Sequence, residues 1–388
     1  MKSDSLQQFA NLPKTARNTC FLYSATKGKS IIASSPIAKF SGKNIQEFKK
    51  FIKKYNKKLL IGYISYDVAY QLFNIKQKAK NDLHLPEIYF LAFDKWLEFN
   101  KHEHSKCPYS HNHHKKYNSL NFKPTISKSA YETAYKKIKH YIKEGDIYQI
   151  NLTHRLEAET KIPPRELFLK VINANPVDYL AYMEGDGFEI LSASPERFIK
   201  IENGNIETCP IKGTRPRGNN PKADQKLKQE LLKNEKEAAE LNMITDLLRN
   251  DMGKICKINT VKVAGHRLIQ KCPTVWHTFS RITGKIAVEP IEALLSMLPG
   301  GSITGCPKKR AMEIIDELEP TTRSVYTGVI GYIHPNKNLD FNIAIRTIIK
   351  KGKKLYLQVG GGIVLDSKEK AEFKETLDKA KSFMKILG

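Results

Sequence analysis

One dipeptide, Asn203-Gly204, constrains this chain more than any other feature. Both central positions of a two-residue hairpin loop need positive φ, which Asn and Gly tolerate. Asn-Gly between alternating apolar residues is therefore the strongest short-range hairpin signal. The spacing predicts strands over 198–201 and 205–211, with Glu202 opposite Asn205. Counting outward from the turn, Glu196 falls opposite Ile211, one residue from Lys212. A carboxyl group and an amine thus come to the open end of one hairpin, with room for a substrate between them. Because side chains alternate along a strand, the two share a face only if a bulge or bend intervenes. On geometry alone the pair reads equally well as an exposed ion pair, which is common and weak.

The rest of the composition narrows the class. The chain has 388 residues, 40% hydrophobic and 27% charged, enough for a large core in one domain or two. No apolar stretch follows the N-terminus, and the most apolar early run, 59–73, contains Asp67 and falls short of a membrane span. A cytoplasmic protein without membrane association is expected. Cys20, Cys107, Cys209, Cys256, Cys272 and Cys306 are scattered without a CxxC pair, which suits free thiols rather than disulfides or a zinc ribbon. The net charge of +25 would permit nucleic-acid binding. Its excess is mostly lysine spread along the chain, with little of the arginine that grips phosphate or guanine by two bonds. It reads as a solvated surface that also gathers a dianionic substrate, and only weak low-salt association with nucleic acid is expected.

Residues 1–120 carry the weaker signals. Strands are predicted over 21–24 and 29–33, and a lysine-rich helix over 46–58 with Phe48, Phe51 and Ile52 on one face. A buried strand follows over 59–67. The segment 101–116 gathers His102, His104, His111, His113 and His114 beside Cys107. Imidazoles so close together can bind zinc or nickel, yet the spacing has no symmetry, and a solvated loop is the simpler reading.

From Ser127 the pattern sharpens. Ser129 and Glu132 read as a capping box for a helix with the stripe Tyr131, Tyr135, Ile138, Tyr141 and Ile142, ended by Gly145. Strands are predicted over 147–155, 179–184 and 188–192, with a helix over 164–172. A long helix over 222–249 places Glu237 and Glu240 three apart, hence on one face. The last helix, 368–387, repeats that spacing with Glu372 and Glu375. Alone, such pairs are usually solvated surface. Two pairs on two helices can instead build an oxygen-rich site for Mg2+, which takes few protein carboxylates alongside substrate and water.

The glycine-rich run 299–307 lacks the Lys-Ser/Thr of a phosphate loop, since Cys306-Pro307 follows Gly305. Pro307 suits the first position of a helix over 307–318, whose free amides could hold a carboxylate. Gly360, Gly361 and Gly362 follow a predicted strand 355–359 and read either as a strand-end turn or as a second backbone-amide cradle. Arg346, on an alternating strand 341–349, is a natural two-bond partner for a carboxylate.

Taken together these blocks resemble a known family. Ser194-Pro-Glu-Arg-Phe198 followed by Pro210-Ile-Lys-Gly-Thr-Arg-Pro-Arg-Gly218 is similar to the chorismate-utilising enzymes, which include anthranilate synthase, aminodeoxychorismate synthase and isochorismate synthase. So are Asp246-Leu-Leu-Arg-Asn-Asp-Met-Gly253, Pro299-Gly-Gly-Ser-Ile-Thr-Gly-Cys-Pro307, Tyr326-Thr-Gly-Val-Ile-Gly-Tyr332 and Gly360-Gly-Gly-Ile-Val-Leu-Asp-Ser367, all in the family order. Gly145-Asp-Ile-Tyr-Gln-Ile-Asn-Leu152 and Gly62-Tyr-Ile-Ser-Tyr-Asp67 resemble further family segments. The lysine of Pro-Ile-Lys-Gly-Thr resembles the aminodeoxychorismate synthase branch, because anthranilate synthases usually have alanine there.

The resemblance implies an α+β fold of large antiparallel sheets packed together with helices outside. It implies an N-terminal part over 1–120, shorter than in the family, and a catalytic domain over 121–388. It makes chorismate the substrate and 4-amino-4-deoxychorismate, on the way to para-aminobenzoate and folate, the product. Glu196 becomes the general acid and Lys212 a covalent nucleophile. Glu237, Glu240, Glu372 and Glu375 become ligands of Mg2+, and His277, Ser302, Tyr326, Arg346, Gly360, Gly361 and Gly362 line the pocket. No cysteine in a Gly-x-Cys-x-Gly setting is present, so nitrogen is expected as free ammonia or from a glutamine amidotransferase subunit. Pyruvate elimination would belong to another enzyme. Anthranilate synthase and isochorismate synthase are the neighbouring readings, and a basic nucleic-acid-binding protein is the alternative from another class.

Overall fold

Two ten-stranded sheets make up the frame, and among the described residues every ladder in them is antiparallel. The structure is a computed structural model and describes residues 5–13, 15–25, 29–99, 120–272 and 275–384. The histidine-rich segment 101–116 lies outside them, as does Cys107; the other five cysteines are free thiols. Across the first sheet the path runs from Gly305–Cys306 through Gln149–Glu159, Lys354–Ile363, Thr347–Lys351, Glu189–Ser194 and Tyr179–Glu184 to Cys20–Tyr23, Ser30–Ala33 and Trp96–Phe99. The second runs from Ile211–Pro216 through Val275–Lys285, Asn205–Thr208, Arg197–Glu202 and Leu339–Ile343 to Val329–Ile333, Leu59–Ile64, Ile88–Phe93 and Ala38–Gly42. Both sheets therefore draw strands from either side of residue 120.

The apolar residues sort into layers. Leu59–Ile64 is buried along its whole length, because it has a covered face on each side. Leu59, Ile61 and Tyr63 pack with Cys20, Ile31, Met183 and Ile349 of the other sheet. Leu60 and Ile64 point the other way, to Phe48 and to Ile244, Leu248 and Met252 of helix Glu235–Gly253. On the far side of the first sheet, Leu167, Phe168 and Val171 of helix Pro164–Ala174 and Phe383 of helix Glu369–Met384 pack on Leu156, Leu191 and Leu357. The order is helices, sheet, sheet, helices, as the α+β reading requires. Each fully buried side chain of this kind contributes roughly 1.5–3 kcal/mol.

The chain passes directly from one sheet to the other at four tight places: Ala33 to Ala38, Phe93 to Trp96, Ser194 to Arg197, and Ile343 to Thr347. The last two run side by side. The Ala193 amide donates to the Arg346 carbonyl (2.9 Å) and the Ile343 amide donates to the Glu196 carbonyl (3.1 Å).

The central hairpin forms as expected: Asn203 and Gly204 take φ of 51° and 77°, and Glu202 pairs with Asn205. Its second strand is shorter than expected and ends at Thr208. Pro210 cannot donate to a ladder, and the chain resumes as Ile211–Pro216, collinear with Asn205–Thr208 along Val275–Lys285. Several other expectations are corrected. The long helix divides into Pro221–Lys233 and Glu235–Gly253 at Asn234, which adopts an extended conformation and caps the second helix by accepting from the Glu237 amide (2.9 Å). Ser127, rather than Ser129, caps helix Lys128–Lys143 by accepting from the Ala130 amide. Pro307 precedes helix Lys308–Leu318 instead of opening it. Gly360, Gly361 and Gly362 continue the strand Lys354–Ile363 rather than turning out of it. Arg346 lies between two strands, at a positive φ of 50°.

The break at Asn234 is a local choice between two caps and one continuous helix. Asn234→Ala removes the acceptor for the Glu237 amide and is expected to cost about 1 kcal/mol in urea denaturation. Asn234→Asp, which keeps that acceptor, should stay within about 0.5 kcal/mol of wild type.

Candidate active site

Glu196 occupies the passage between the sheets and is 5% exposed. Ser194 sets its backbone, its hydroxyl accepting from the Glu196 amide (3.2 Å). The Ser302 hydroxyl donates to the Glu196 carboxyl group (2.9 Å) from the 3-10 turn Gly301–Ile303. Burial pushes this carboxyl up to about 7, against the Ser302 hydrogen bond, the Lys212 ammonium and the Ile211 amide, which pull it down. The exposed ion pair of the sequence analysis is thereby ruled out.

Lys212 reaches the same place from the second sheet. The register shifts between Ile211 and Thr214, and Gly213 takes a φ of 85°, which forms the bulge the hairpin argument demanded. A side chain at Gly213 would strike the Thr278 hydroxyl at 2.8 Å and Leu231 at 2.9 Å, so only glycine fits there. The Lys212 side chain is 14% exposed, and its nearest acid is Glu240, at 3.9 Å. Burial lowers its pKa, opposed by Glu240 and Glu196.

Helices Glu235–Gly253 and Glu369–Met384 carry the four glutamates, of which Glu240 and Glu375 act on this amine. Glu237 accepts from Arg215 at 2.8 Å through one oxygen, while its other oxygen is buried without a hydrogen bond. Glu375 pairs with Lys379 at 2.9 Å, and Lys379 also donates to the Gly360 carbonyl at 2.8 Å. Glu372 is buried, which raises its pKa, with a Ser367 hydrogen bond opposing. A side chain at Gly361 would come within 3.6 Å of Glu372, and one at Gly362 within 3.8 Å of the Lys212 ammonium. These glycines therefore lie directly against Glu372, Gln149 and Lys212, with no side chain of their own between.

Among the described residues no three of His, Cys, Asp or Glu converge as a ready metal cage. The donor set is nevertheless all hard oxygen, with one buried carboxylate oxygen on Glu237 unmatched. That fits an ion such as Mg2+, held by one or two carboxylates together with substrate oxygens. Glu237, Glu240, Glu372 and Glu375 are the carboxylates from which its ligands would come.

His277 is 3% exposed and its Nδ1 shares a hydrogen bond with the Thr214 hydroxyl (2.8 Å). Burial, assisted by the Arg346 charge, lowers it to about 4, so it is a neutral imidazole. Arg346 itself is half-buried, and among the described residues no carboxylate pairs with it. Tyr326 is buried beside Arg323 and Glu319, and burial raises its hydroxyl pKa. The amides of helix Lys308–Leu318 have no evident part here; Lys308 at its start is buried against Asp251 at 2.7 Å.

Gln149 escaped the sequence reading. It is 1% exposed, its carbonyl oxygen is unpartnered, and its amide nitrogen lies 2.8 Å from where a side chain at Gly362 would begin, next to Lys212. The signal was available: Gln149, Asn151, Thr153 and Arg155 alternate with Ile150, Leu152 and Leu156, a polar face on a strand buried over almost its whole length. Adjacent to Glu196 in sequence, Arg197 points away into a cavity of about 460 Å³ between the sheets, where it pairs with Asp340 at 3.0 Å.

The decisive comparison concerns the whole chain. A family model described as chorismate binding enzyme matches residues 4–385. The chain belongs to that family. It is 33% identical to aminodeoxychorismate synthase component 1 of Bacillus subtilis, covering 100% of this chain and 95% of the relative. It is 36% identical to anthranilate synthase component 1 of Acetivibrio thermocellus, covering 90% and 78%. The crystal structure of anthranilate synthase component I from Streptococcus pneumoniae superposes with a TM-score of 0.83 at 27% identity, covering 98% of this chain and 97% of that one. The chain is thus a chorismate-binding enzyme of the expected fold, and among the described residues no helix is long and apolar enough to cross a membrane.

The buried acid carries a pH signature. With its folded pKa raised to about 7 from an ordinary 4.5, Glu196 keeps a proton in the native state that the unfolded chain has released. Wild-type stability is therefore expected to fall as pH rises through that window, by at most about 3 kcal/mol from this group. Glu196→Gln, which is neutral in both states, should gain on wild type by that amount between pH 4.5 and 7.5 in urea denaturation. A pH-independent difference would contradict the burial of this carboxyl.

Proposed function

We propose that the protein is an aminodeoxychorismate synthase component 1, which converts chorismate and ammonia to 4-amino-4-deoxychorismate. The observation that carries this reading is Lys212: a buried amine whose charge is disfavoured, set beside a buried acid. The full-length likeness to the Bacillus subtilis relative supports it. A second reading, anthranilate synthase, rests on the comparably strong likeness to relatives of that name.

In the proposed reaction Glu196, protonated near neutral pH, gives its proton to the C4 hydroxyl, which leaves as water. The free amine of Lys212 forms a bond to ring C2 as the C4–O bond breaks, and the two ring double bonds each shift by one position. Ammonia then adds at C4 and passes one proton back to the Glu196 carboxylate, the double bonds return, and the C2–N bond to Lys212 breaks with the lysine recovering its electron pair. The sum is chorismate plus ammonia to aminodeoxychorismate plus water. Mg2+ bound through Glu237, Glu240, Glu372 and Glu375 would withdraw electrons at the ring carboxylate. Arg346 offers a guanidinium to the other substrate carboxylate, with neutral His277 beside it. Ammonia would come from a glutamine amidotransferase subunit, and the setting would be cytoplasmic.

Incubation with chorismate, Mg2+ and ammonium, with products resolved by mass, is expected to yield 4-amino-4-deoxychorismate. Fluorescent anthranilate would instead place the chain in the other branch, and turnover without ammonia would indicate an isochorismate synthase. With ammonia withheld, wild type should form a chorismate adduct on the peptide containing Lys212, and Lys212→Ala should not. Lys212→Ala and Lys212→Arg should each lose on the order of a thousandfold in kcat, about 4 kcal/mol of barrier. An arginine variant near the wild-type rate would reduce Lys212 to a charge partner. Glu375→Gln should keep the wild-type melting temperature within a few degrees while losing most Mg2+-dependent turnover; unchanged activity at limiting Mg2+ would mark Glu375 as an ordinary surface group.

A further inference from the structure

Among the described residues Arg323 is the largest side chain that is almost wholly removed from solvent, at 2% exposure, and no step of the proposed reaction uses it. Its guanidinium is gripped by Glu319, Nε to one oxygen at 2.9 Å and Nη2 to the other at 2.7 Å. Two further N–H groups go to carbonyls, Nη1 to Ile303 at 3.0 Å and Nη2 to Asn151 at 2.6 Å. The Asn151 side chain donates to the same Ile303 carbonyl (3.1 Å), and Glu319 also accepts from the Thr153 amide (2.9 Å). The Tyr66 ring lies 4.7 Å from the guanidinium and closes its face.

Those contacts converge on the machinery. Ile303 is the next residue after Ser302 in a three-residue turn, and Ser302 is the donor to Glu196. Asn151 and Thr153 are the ladder partners of Gly362 and Gly360. On the opposite side of the turn, Leu247 packs against Gly301, and the buried pair Lys308–Asp251 (2.7 Å) follows five residues on. A buried pair of this type is expensive to desolvate and weak evidence for stability, so its value is sought in the geometry it fixes.

We propose that Arg323 is a positioning residue for the acid: by holding the Ile303 carbonyl it fixes the turn that aims the Ser302 hydroxyl at Glu196. A guanidinium fork bonds four acceptor atoms in one plane, which an ammonium cannot reproduce. Arg323→Lys should therefore keep the charge, lose the turn and loosen the Ser302–Glu196 bond without touching substrate. That bond favours the charged carboxylate, so its loss raises the Glu196 pKa. The groups facing Glu196 are Ser302, Lys212 and the Ile211 amide, and only the first is altered.

This inference rests on the proposed role of Glu196 for its kinetic arm, and a second arm is independent of it. In the chorismate and ammonium assay, Arg323→Lys should lower kcat roughly tenfold with KM within about twofold, and shift the alkaline limb of the pH profile upward, as Ser302→Ala does. The double variant should be no slower than the slower single, because both changes act on one bond. The independent arm reads the Glu196 carboxyl directly by infrared difference titration against Glu196→Gln; Arg323→Lys should raise its pKa by the same amount as Ser302→Ala. Multiplying rate effects, or a Glu196 titration unmoved in Arg323→Lys, would overturn the proposal. Should Arg323→Lys fail to fold by circular dichroism, Glu319→Gln, which keeps shape and frees the fork, runs the same cycle. A wild type that never turns over chorismate would defeat the functional reading, while the titration would still decide the positioning role.

Discussion

The paired passage of two chain segments from one sheet to the other is the constraint on which this molecule depends. Residues 194–197 and 343–347 make the crossing together, laced by the Ala193–Arg346 and Ile343–Glu196 backbone hydrogen bonds. A residue in such a passage is walled by both sheets, and Glu196 is buried for that reason. The companion segment turns at Arg346 through a positive φ, a conformation that costs a non-glycine residue of order 1 kcal/mol and persists only where the surroundings enforce it. The same bend that admits the crossing puts the guanidinium beside His277. Geometry that solves a topological problem for the sheets thus also sets down an acid and an arginine.

The electrostatics follow from what is not paired with what. A close salt bridge between Glu196 and Lys212 would stabilise carboxylate and ammonium together, the opposite of the protonated acid and free amine that the proposed reaction uses. Instead Glu196 accepts from a neutral hydroxyl, and Lys212 meets Glu240 only at 3.9 Å. Burial acts on both and drives both toward their neutral forms. The glutamates on the two helices are meanwhile neutralised in part by Arg215 and Lys379. A cation entering among them would have to compete with those side chains.

Much of this was legible in the sequence because local rules and global fold agree there. Asn203-Gly204 fixed its turn and register, and the period-two count placed Glu196 and Lys212 near one another while asking for a bulge, which Gly213 supplies. The i, i+3 spacing put each glutamate pair on one helix face. What failed were readings of residues whose partners, near or far along the chain, decide their role. Asn234 looked like one more polar residue in a helix, but capping the Glu237 amide with its side chain gave a better end for one helix and start for the next. Gly360, Gly361 and Gly362 looked like a turn, yet their bareness serves the groups that approach them across the sheet. Gln149 lay in plain view on the polar face of a buried strand and was passed over, whereas Arg323 takes its significance from contacts with Ile303 and with Asn151, which is 172 positions away.

The four direct passages between the sheets bear on motion. Two stacked sheets joined by long loops can slide or hinge about their interface. Here each passage is at most four residues long, and two of them are bonded to one another. A relative displacement of even a few ångströms would break backbone hydrogen bonds at several places at once. The frame is therefore stiff, and any opening that admits a ring-sized molecule falls to the helices Glu235–Gly253 and Glu369–Met384, which are held over the site through side chains such as Glu237 on Arg215 and Lys379 on the Gly360 carbonyl and can lift without unpairing a strand.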